Sequence, residues 1–472
     1  MRKRIAILGG GISGLTAAYV LDRDYAGACD VTLFEASNRL GGIIETVRTD
    51  GFTIECGPDS WVTEKPWAEQ LLRELGLGDE LVPSNDRQRR TYIARGRSII
   101  PLPDGMRMMV PTDLSVVRSS SLFTETAKQA YAAELSRAAE LRDTALLHRG
   151  SDVDESIAAF VRRHFGEEVV ATVAAPLLAG VFGGDIEKLS ARALLGPFVT
   201  LEAQHGSLIA GLQQSKRNSS TPVFTTLESG LGVLVDRLGE RLPSASIRLS
   251  APVLALHPLA AGWAIETASG RESFDRVLIA TSLDTTRRLL ASLPVSEAKH
   301  AAALLPADAA SGLVVALGFR SQAQPVPAIP PGFGFLMAAS PTDNCNLLAC
   351  TFLHQKFPRR SPAGATLLRA FFASSAADSL SKHADEEIVA AARDQLITIL
   401  GPLPEHADVT VVRRWPHSLP QYEVGHLARM AAFETWVSAL SGIRVAGNAL
   451  RGVGLPDLIR DATQAAHAIA RA

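Results

Sequence analysis

Gly9, Gly11 and Gly14 stand in the spacing G-x-G-x-x-G within Gly9-Gly10-Gly11-Ile12-Ser13-Gly14. The chemistry this spacing suits is the holding of a diphosphate. Gly9 permits a tight turn, Gly11 lets backbone approach the phosphates, and Gly14 lets a helix lie close to a strand. The elements that must position them are present in order. Arg4-Ile5-Ala6-Ile7-Leu8 reads as a strand leading into the glycines, and Leu15-Thr16-Ala17-Ala18-Tyr19-Val20-Leu21 reads as the helix leaving them. A second apolar run, Val31-Thr32-Leu33-Phe34, ends in Glu35, 21 residues past Gly14. A helix N-terminus attracts the diphosphate, and an acid at the end of the second strand accepts hydrogen bonds from a ribose diol. The segment is therefore read as a βαβ dinucleotide-binding unit.

The residues that follow narrow the dinucleotide. Glu35-Ala36-Ser37-Asn38-Arg39-Leu40-Gly41-Gly42-Ile43 carries R-x-G-G after the acid. This pattern resembles the N-terminal segment of flavoproteins in the amine oxidase superfamily. The resemblance implies FAD, with Ala36, Arg39, Gly42 and Ile43 along its diphosphate and ring. Phe52-Thr53-Ile54-Glu55-Cys56 alternates as a strand does, and Gly57-Pro58-Asp59-Ser60 ends it. By resemblance Gly57 to Ser60 pass beside the isoalloxazine ring. Near the far end, Ile443-Arg444-Val445-Ala446-Gly447-Asn448 reads as a strand closing on glycine, and Gly452-Val453-Gly454-Leu455-Pro456 opens an alanine-rich helix. Val453, Gly454 and Leu455 are expected to bring that helix's positive end to the flavin. Val253 is expected behind the adenine, Trp415 beside the cofactor, and Ala280-Thr281 in a turn near it.

Composition sets outer limits. A chain of 472 residues suggests two or three domains. Hydrophobic content of 47%, charged content of 20% and a net charge of −2 fit a globular protein without a nucleic-acid footprint. No stretch reaches the ~18 apolar residues that suggest a membrane span, and no signal-like segment is read ahead of the first strand. A cytoplasmic location is expected. The four cysteines, Cys29, Cys56, Cys345 and Cys350, lack zinc-type spacing. Cys345 and Cys350 read as reduced core residues. The eleven histidines form no metal motif, so no metal is expected.

The fold class read from these patterns is α/β. It comprises a Rossmann-like discontinuous FAD-binding domain, a mixed-sheet substrate domain and a helical insert. The first is placed at residues 1–85, 222–290 and 440–472, the second at 86–104 and 291–439, and the insert at 105–221. A helix is expected from Trp67 to Leu77 and a strand from Ile247 to Val253. Ser151 to Ser156 reads as a helix start, and Ser215 to Ser220 as a polar loop.

Three further segments carry a closer resemblance, which runs over nearly the whole chain. They are Ala179-Gly180-Val181-Phe182-Gly183-Gly184-Asp185-Ile186-Glu187-Lys188-Leu189-Ser190, Leu419-Pro420-Gln421-Tyr422-Glu423-Val424-Gly425-His426, and Gly452 to Pro456. They resemble the oxygen-dependent porphyrinogen oxidases of haem biosynthesis. The resemblance implies a six-electron oxidation of protoporphyrinogen IX or coproporphyrinogen III, with FAD passing electrons to oxygen and hydrogen peroxide as product. A hydride would leave a meso carbon held about 3–3.5 Å from the flavin. No strong side-chain base is required, because pyrrole N–H protons leave as double bonds migrate.

By resemblance, Arg90 binds a propionate, with Arg89 as its substitute. Leu336 and Phe357 sandwich the macrocycle, and Gly180 lets backbone approach it. His426 is read as a structural histidine, with proton relay as the alternative. The resemblance also brings peripheral contact with the inner face of the cell membrane, through Met106 to Pro111, and a ferrochelatase or other haem-pathway partner. Three rival readings stand beside it. One is a flavin amine oxidase whose aromatic cage would draw on Tyr422, Trp415 and Trp436. The second is a carotenoid-type desaturase, which shares the FAD motifs but not the segment Pro420 to His426. The third is a flavin-bound, non-catalytic pathway protein.

Overall fold

The computed structural model describes residues 2–149, 153–215, 221–242, 246–320, 329–338 and 346–471. Cys345, Ser151 with Asp152, and Lys216 to Ser220 lie outside these. β1 (Lys3–Leu8), α1 (Ile12–Tyr25) and β2 (Cys29–Phe34) open the chain. β1 and β2 pair in parallel from Lys3 opposite Cys29 to Leu8 opposite Phe34. Their sheet has five parallel strands. Ser246–Arg248 flanks β2, and Arg276–Ile279 then Ile443–Val445 continue beyond β1. Three distant stretches of sequence thus build one sheet. One face packs on α1 and the helix Leu455–Arg471, the other in part on a three-stranded antiparallel sheet (Ala255–Pro258, Trp263–Thr267, Gly270–Phe274), so β1 is buried from Ile5 to Leu8 and β2 from Val31 to Phe34. α1 is buried from Ile12 to Leu21, against the sheet and the helix Leu455–Arg471.

A second sheet has seven strands, in the order Val409–Pro420, Ala309–Phe319, Thr366–Ala373, Ala349–Phe352, Gly334–Met337, Thr91–Arg95 and Ser98–Pro101. All its pairings are antiparallel except Gly334–Met337 with Thr91–Arg95, so the sheet is mixed. A helical layer between Leu114 and Gln214 has its own apolar core around Tyr131, Phe160, Phe165 and Leu208. Within that core Glu134 accepts from Leu208 N at 2.6 Å and meets His164 Nδ1 at 3.1 Å, while His164 Nε2 meets Glu202 at 3.2 Å. Ser156 caps the helix Ile157–Phe165 by accepting from Ala159 N at 3.1 Å.

Several expected elements are shorter in the structure, each for a local reason. The helix from Trp67 stops at Glu74, ahead of Gly76 at φ +75°. The strand from Ser246 stops at Arg248 because Ser250 takes φ +51°, and the chain turns so that Ala251 to Val253 form a wall. The alternating run after Asp50 is a strand only over Phe52–Glu55, in a hairpin with Thr46–Thr49.

Met106 to Pro111 does not offer the expected apolar surface. Met109 and Val110 are wholly buried, and Met109 O accepts from Tyr131 Oη at 2.9 Å. No helix among the described residues is long and apolar enough to cross a membrane.

Candidate active site

A cleft of about 390 Å³ runs along the carboxyl ends of β1 and β2. This is where parallel sheets bind dinucleotides. Gly9, Gly11, Ile12 and Ser13 line it from the β1–α1 turn, Glu35 and Ala36 from the end of β2, and Gly42 and Ile43 from the next loop. Val253 lines it from the turn after Ser250, and Trp415 reaches it from the second sheet. Ten of the sequence-predicted cofactor residues therefore meet in one place.

Local chemistry fits a diphosphate. α1 has Gly11 as its N-cap, with no capping side chain and no acid in its first turn, which leaves backbone N–H groups for an anion. A Cβ at Gly11 would meet nothing within 4 Å, so its backbone faces open cleft. Both oxygens of Glu35 are oriented by backbone, Oε2 by Gly10 N and Oε1 by Ser37 N, each at 2.7 Å. Each oxygen keeps acceptor capacity for ribose hydroxyls. With ribose at Glu35 and diphosphate at the turn, the rest of the dinucleotide must run toward Ile43 and Trp415.

Other predicted cofactor residues support the walls without lining them. Gly14 is a packing residue, since a Cβ there would lie 1.9 Å from Gly9 O. Gly10 is a strut, its N–H on Glu35 and its carbonyl accepting from Gly41 N at 2.8 Å. Arg39 spends its donors on the carbonyls of Leu40 (3.0 Å), Ile44 (3.2 Å) and Gly42 (2.6 Å), and lies over the Trp415 ring at 5.9 Å.

Gly57 packs on Ile43, where a Cβ would stand 2.0 Å from the Ile43 carbonyl oxygen. Beyond Pro58, Asp59 and Ser60 turn inward. Lys356 Nζ lies 2.8 Å from Asp59 Oδ1 and 3.2 Å from Ser60 Oγ, and Arg369 Nη1 lies 3.1 Å from Asp59 Oδ2. Burial opposes ionisation of Asp59, but these two cations overcome it and hold its carboxyl well below the usual range. Val453, Gly454 and Leu455 also stand back from the cleft, and Leu458 of the same helix lines it. Asp457 occupies that helix start, paired with Lys65 at 2.5 Å.

Lining residues that the sequence reading did not single out include Ser282, Arg288, Pro416, His417 and Ser418. Arg288 holds the Val253 wall by donating to Leu254 O (2.6 Å) and Val253 O (3.0 Å). Nothing local marks these residues. They converge only through the packing of the two sheets.

Of the expected substrate residues, Gly180 and Leu336 come together, and Arg90 stands ahead of the neighbouring strand, beside Phe333. Arg90 precedes the strand Thr91–Arg95, which pairs in parallel with Gly334–Met337, and Leu336 lies opposite Ile93. Gly180 lies over Leu336, so that a Cβ there would stand 3.2 Å from Leu336 Cδ2. Arg90 is exposed on a segment shared with exposed Arg87 and Arg89.

Phe357 is corrected. Its ring has no exposed surface and packs in the cluster of Phe52, Ile54, Leu353 and Leu367, so it is core.

His426 is structural. It is fully buried, stacks on Tyr422 at 4.0 Å, and Nε2 donates to Leu450 O at 2.8 Å. Burial pushes its pKa down to about 4. The proposed aromatic cage does not assemble either. Tyr422 is buried and donates to Asn448 O, and Trp436 packs beside Phe433, 6.4 Å between ring centres. Only Trp415 of the three reaches the cleft.

A dinucleotide cleft under a mixed substrate-side sheet is the architecture of a flavoprotein oxidoreductase. Residues 12–470 match the model of the flavin-containing amine oxidoreductases, and the chain belongs to that family. Its cofactor is FAD.

Among its relatives, the coproporphyrinogen III oxidase of Bacillus subtilis (strain 168) is 32% identical, over 97% of this chain and 96% of that protein. The chloroplastic protoporphyrinogen oxidase of Nicotiana tabacum is 27% identical, over 98% of this chain and 84% of that one. A solved structure from Exiguobacterium sp. 255-15, of a protein provisionally named a protoporphyrinogen oxidase, superposes with a TM-score of 0.86. It is 33% identical and covers 100% of this chain and 99% of that one.

Proposed function

We propose that this chain oxidises coproporphyrinogen III to the corresponding porphyrin in haem biosynthesis, with oxygen as acceptor. The observation that carries the reading is the similarity to coproporphyrinogen III oxidases over 97–98% of the chain. The balance is three two-electron steps. Six hydrogens leave the macrocycle, and three O₂ become three H₂O₂. Bound FAD supplies the hydride acceptor and the transfer to oxygen, and the protein supplies position and polarity.

The chain's own residues have three tasks. Gly11, Ile12, Ser13 and Glu35 hold the dinucleotide, and Ile43 with Trp415 set its far end. Gly180 and Leu336 supply a close apolar surface for a flat ring. Arg90, with Arg87 and Arg89 beside it, supplies cations for propionates. Coproporphyrinogen III carries two more propionates than protoporphyrinogen IX, and a run of three exposed arginines suits the more anionic substrate. No catalytic base is assigned, since His426 is fully buried and its Nε2 is held by Leu450 O.

The test is porphyrin fluorescence when the purified yellow protein meets each porphyrinogen in air. Faster turnover of coproporphyrinogen III is expected. Preference for protoporphyrinogen IX would reassign the substrate, and turnover of neither would overturn the reading.

A further inference from the structure

Behind the ring end of the cleft lies a buried charge cluster with more cations than anions. Arg360 and Arg369 are each 1% exposed, Lys356 is 8% exposed and Glu55 is wholly buried. Lys356 and Arg369 grip Asp59, while Arg360 stands 3.4 Å from Glu55. Three cations thus face two carboxylates. Burial raises the pKa of Glu55 against the pull of Arg360 and lowers that of Arg360 in turn. Two donors in the cluster, Arg360 Nη1 and Arg369 Nε, are buried and have no hydrogen-bond partner among the described residues. An ion cluster that serves only stability is least costly when its charges and donors are matched. This one is matched in neither respect.

The cluster is coupled to the cleft by two adjacent carbonyls. Arg369 Nη2 donates to Gly57 O at 2.6 Å, and the cleft-lining Trp415 donates through Nε1 to Cys56 O at 2.7 Å. Gly57 itself rests on cleft-lining Ile43. The excess charge therefore sits one layer of backbone from the cleft, where salt screens it little.

We propose that Lys356 and Arg369 are positioning residues that hold a positive potential at the ring end of the cleft and so favour the anionic reduced flavin. Asp59 is the counterweight that limits it. The inference rests on the flavin reading and not on which substrate is used.

Sulfite tests it on the FAD-loaded protein. Its lone pair adds to flavin N5, forming an N–S bond, and the ring takes the electron pair and becomes an anion. Bleaching of the flavin absorption reports the Kd. Lys356→Met removes a cation and should weaken sulfite binding by about tenfold, the scale of one poorly screened charge. Asp59→Asn removes an anion and should tighten it by a similar factor. Lys356→Arg should match the parent.

The flavin midpoint potential should follow the same order, lower for Lys356→Met and higher for Asp59→Asn. A structural role would weaken binding in both variants. Shifts of the same sign, or no shift in either, would overturn the proposal. If Lys356→Met does not fold, Asp59→Asn decides alone: tighter binding supports the proposal, and unchanged or weaker binding overturns it. A colourless parent protein would instead overturn the cofactor assignment.

Discussion

Gly11 and Gly14 belong to one motif, yet the structure assigns them opposite jobs, and alanine separates these. At Gly14 two effects compete. Glycine inside a helix is about 1 kcal/mol worse than alanine, so helix propensity alone predicts that Gly14→Ala stabilises. The new Cβ would stand 1.9 Å from Gly9 O, a backbone atom that no side-chain rotation can clear. α1 must move off the turn, and overpacking of this kind costs about 3 kcal/mol. The clash wins, with a net loss of about 2 kcal/mol.

At Gly11 the Cβ meets nothing, and Gly11 sits at φ −72°, which alanine adopts freely. Stability should change by less than about 1 kcal/mol, the N-cap preference for glycine over alanine. The methyl group would occupy the space through which backbone reaches the diphosphate. Losing one charge-assisted contact of about 1.5–3 kcal/mol weakens FAD binding roughly 10- to 100-fold. The assay pairs denaturation of the FAD-free protein with FAD titration followed by flavin fluorescence. Gly14→Ala should lose stability, and Gly11→Ala should lose affinity while keeping its fold. A Gly14→Ala protein as stable as the parent, or a Gly11→Ala protein with unchanged FAD affinity, would refute the division of roles.

Three further outcomes are expected. Arg90→Ala should raise KM for the porphyrinogen about tenfold or more, with kcat within about twofold, if the arginine binds propionate equally in ground and transition states; an unchanged KM removes it from the site. His426, with its pKa held at about 4 against an ordinary 6.5, leaves the unfolded chain to bind the proton first as the medium acidifies. Its contribution of about 3 kcal/mol is whole above pH 6.5 and lost between 6.5 and 4, so the urea midpoint should fall across that window less steeply in His426→Asn. Glu134→Ala leaves His164 Nδ1, Ser207 Oγ and Leu208 N without their acceptor in the core of the helical layer, and should cost about 3 kcal/mol, read as a lower denaturation midpoint.

Contiguous sequence determined the nucleotide half of the site. The β1–α1–β2 unit, its glycines and Glu35 are close in the chain, and their geometry follows from local backbone rules, so spacing alone specifies it. The helix start read between Ser151 and Ser156 was legible through capping chemistry only to within a few residues, the cap being Ser156, whereas the mixed sheet came with the family resemblance, since alternation marks strands without fixing their direction.

What required the tertiary structure was everything decided by which surfaces meet. Phe357 and Met109 are apolar residues whose sequence surroundings suit a surface or a wall equally well, and only packing sent them into the core. Gly57 to Ser60 look like a cofactor-facing loop. The structure turns Asp59 back onto Lys356 and Arg369, residues about 300 positions away, because a buried carboxylate needs buried cations. Arg288 and Ser418 join the cleft by the same kind of long-range meeting. Charge balance inside a fold is a sum over distant segments, so no window of the chain contains it.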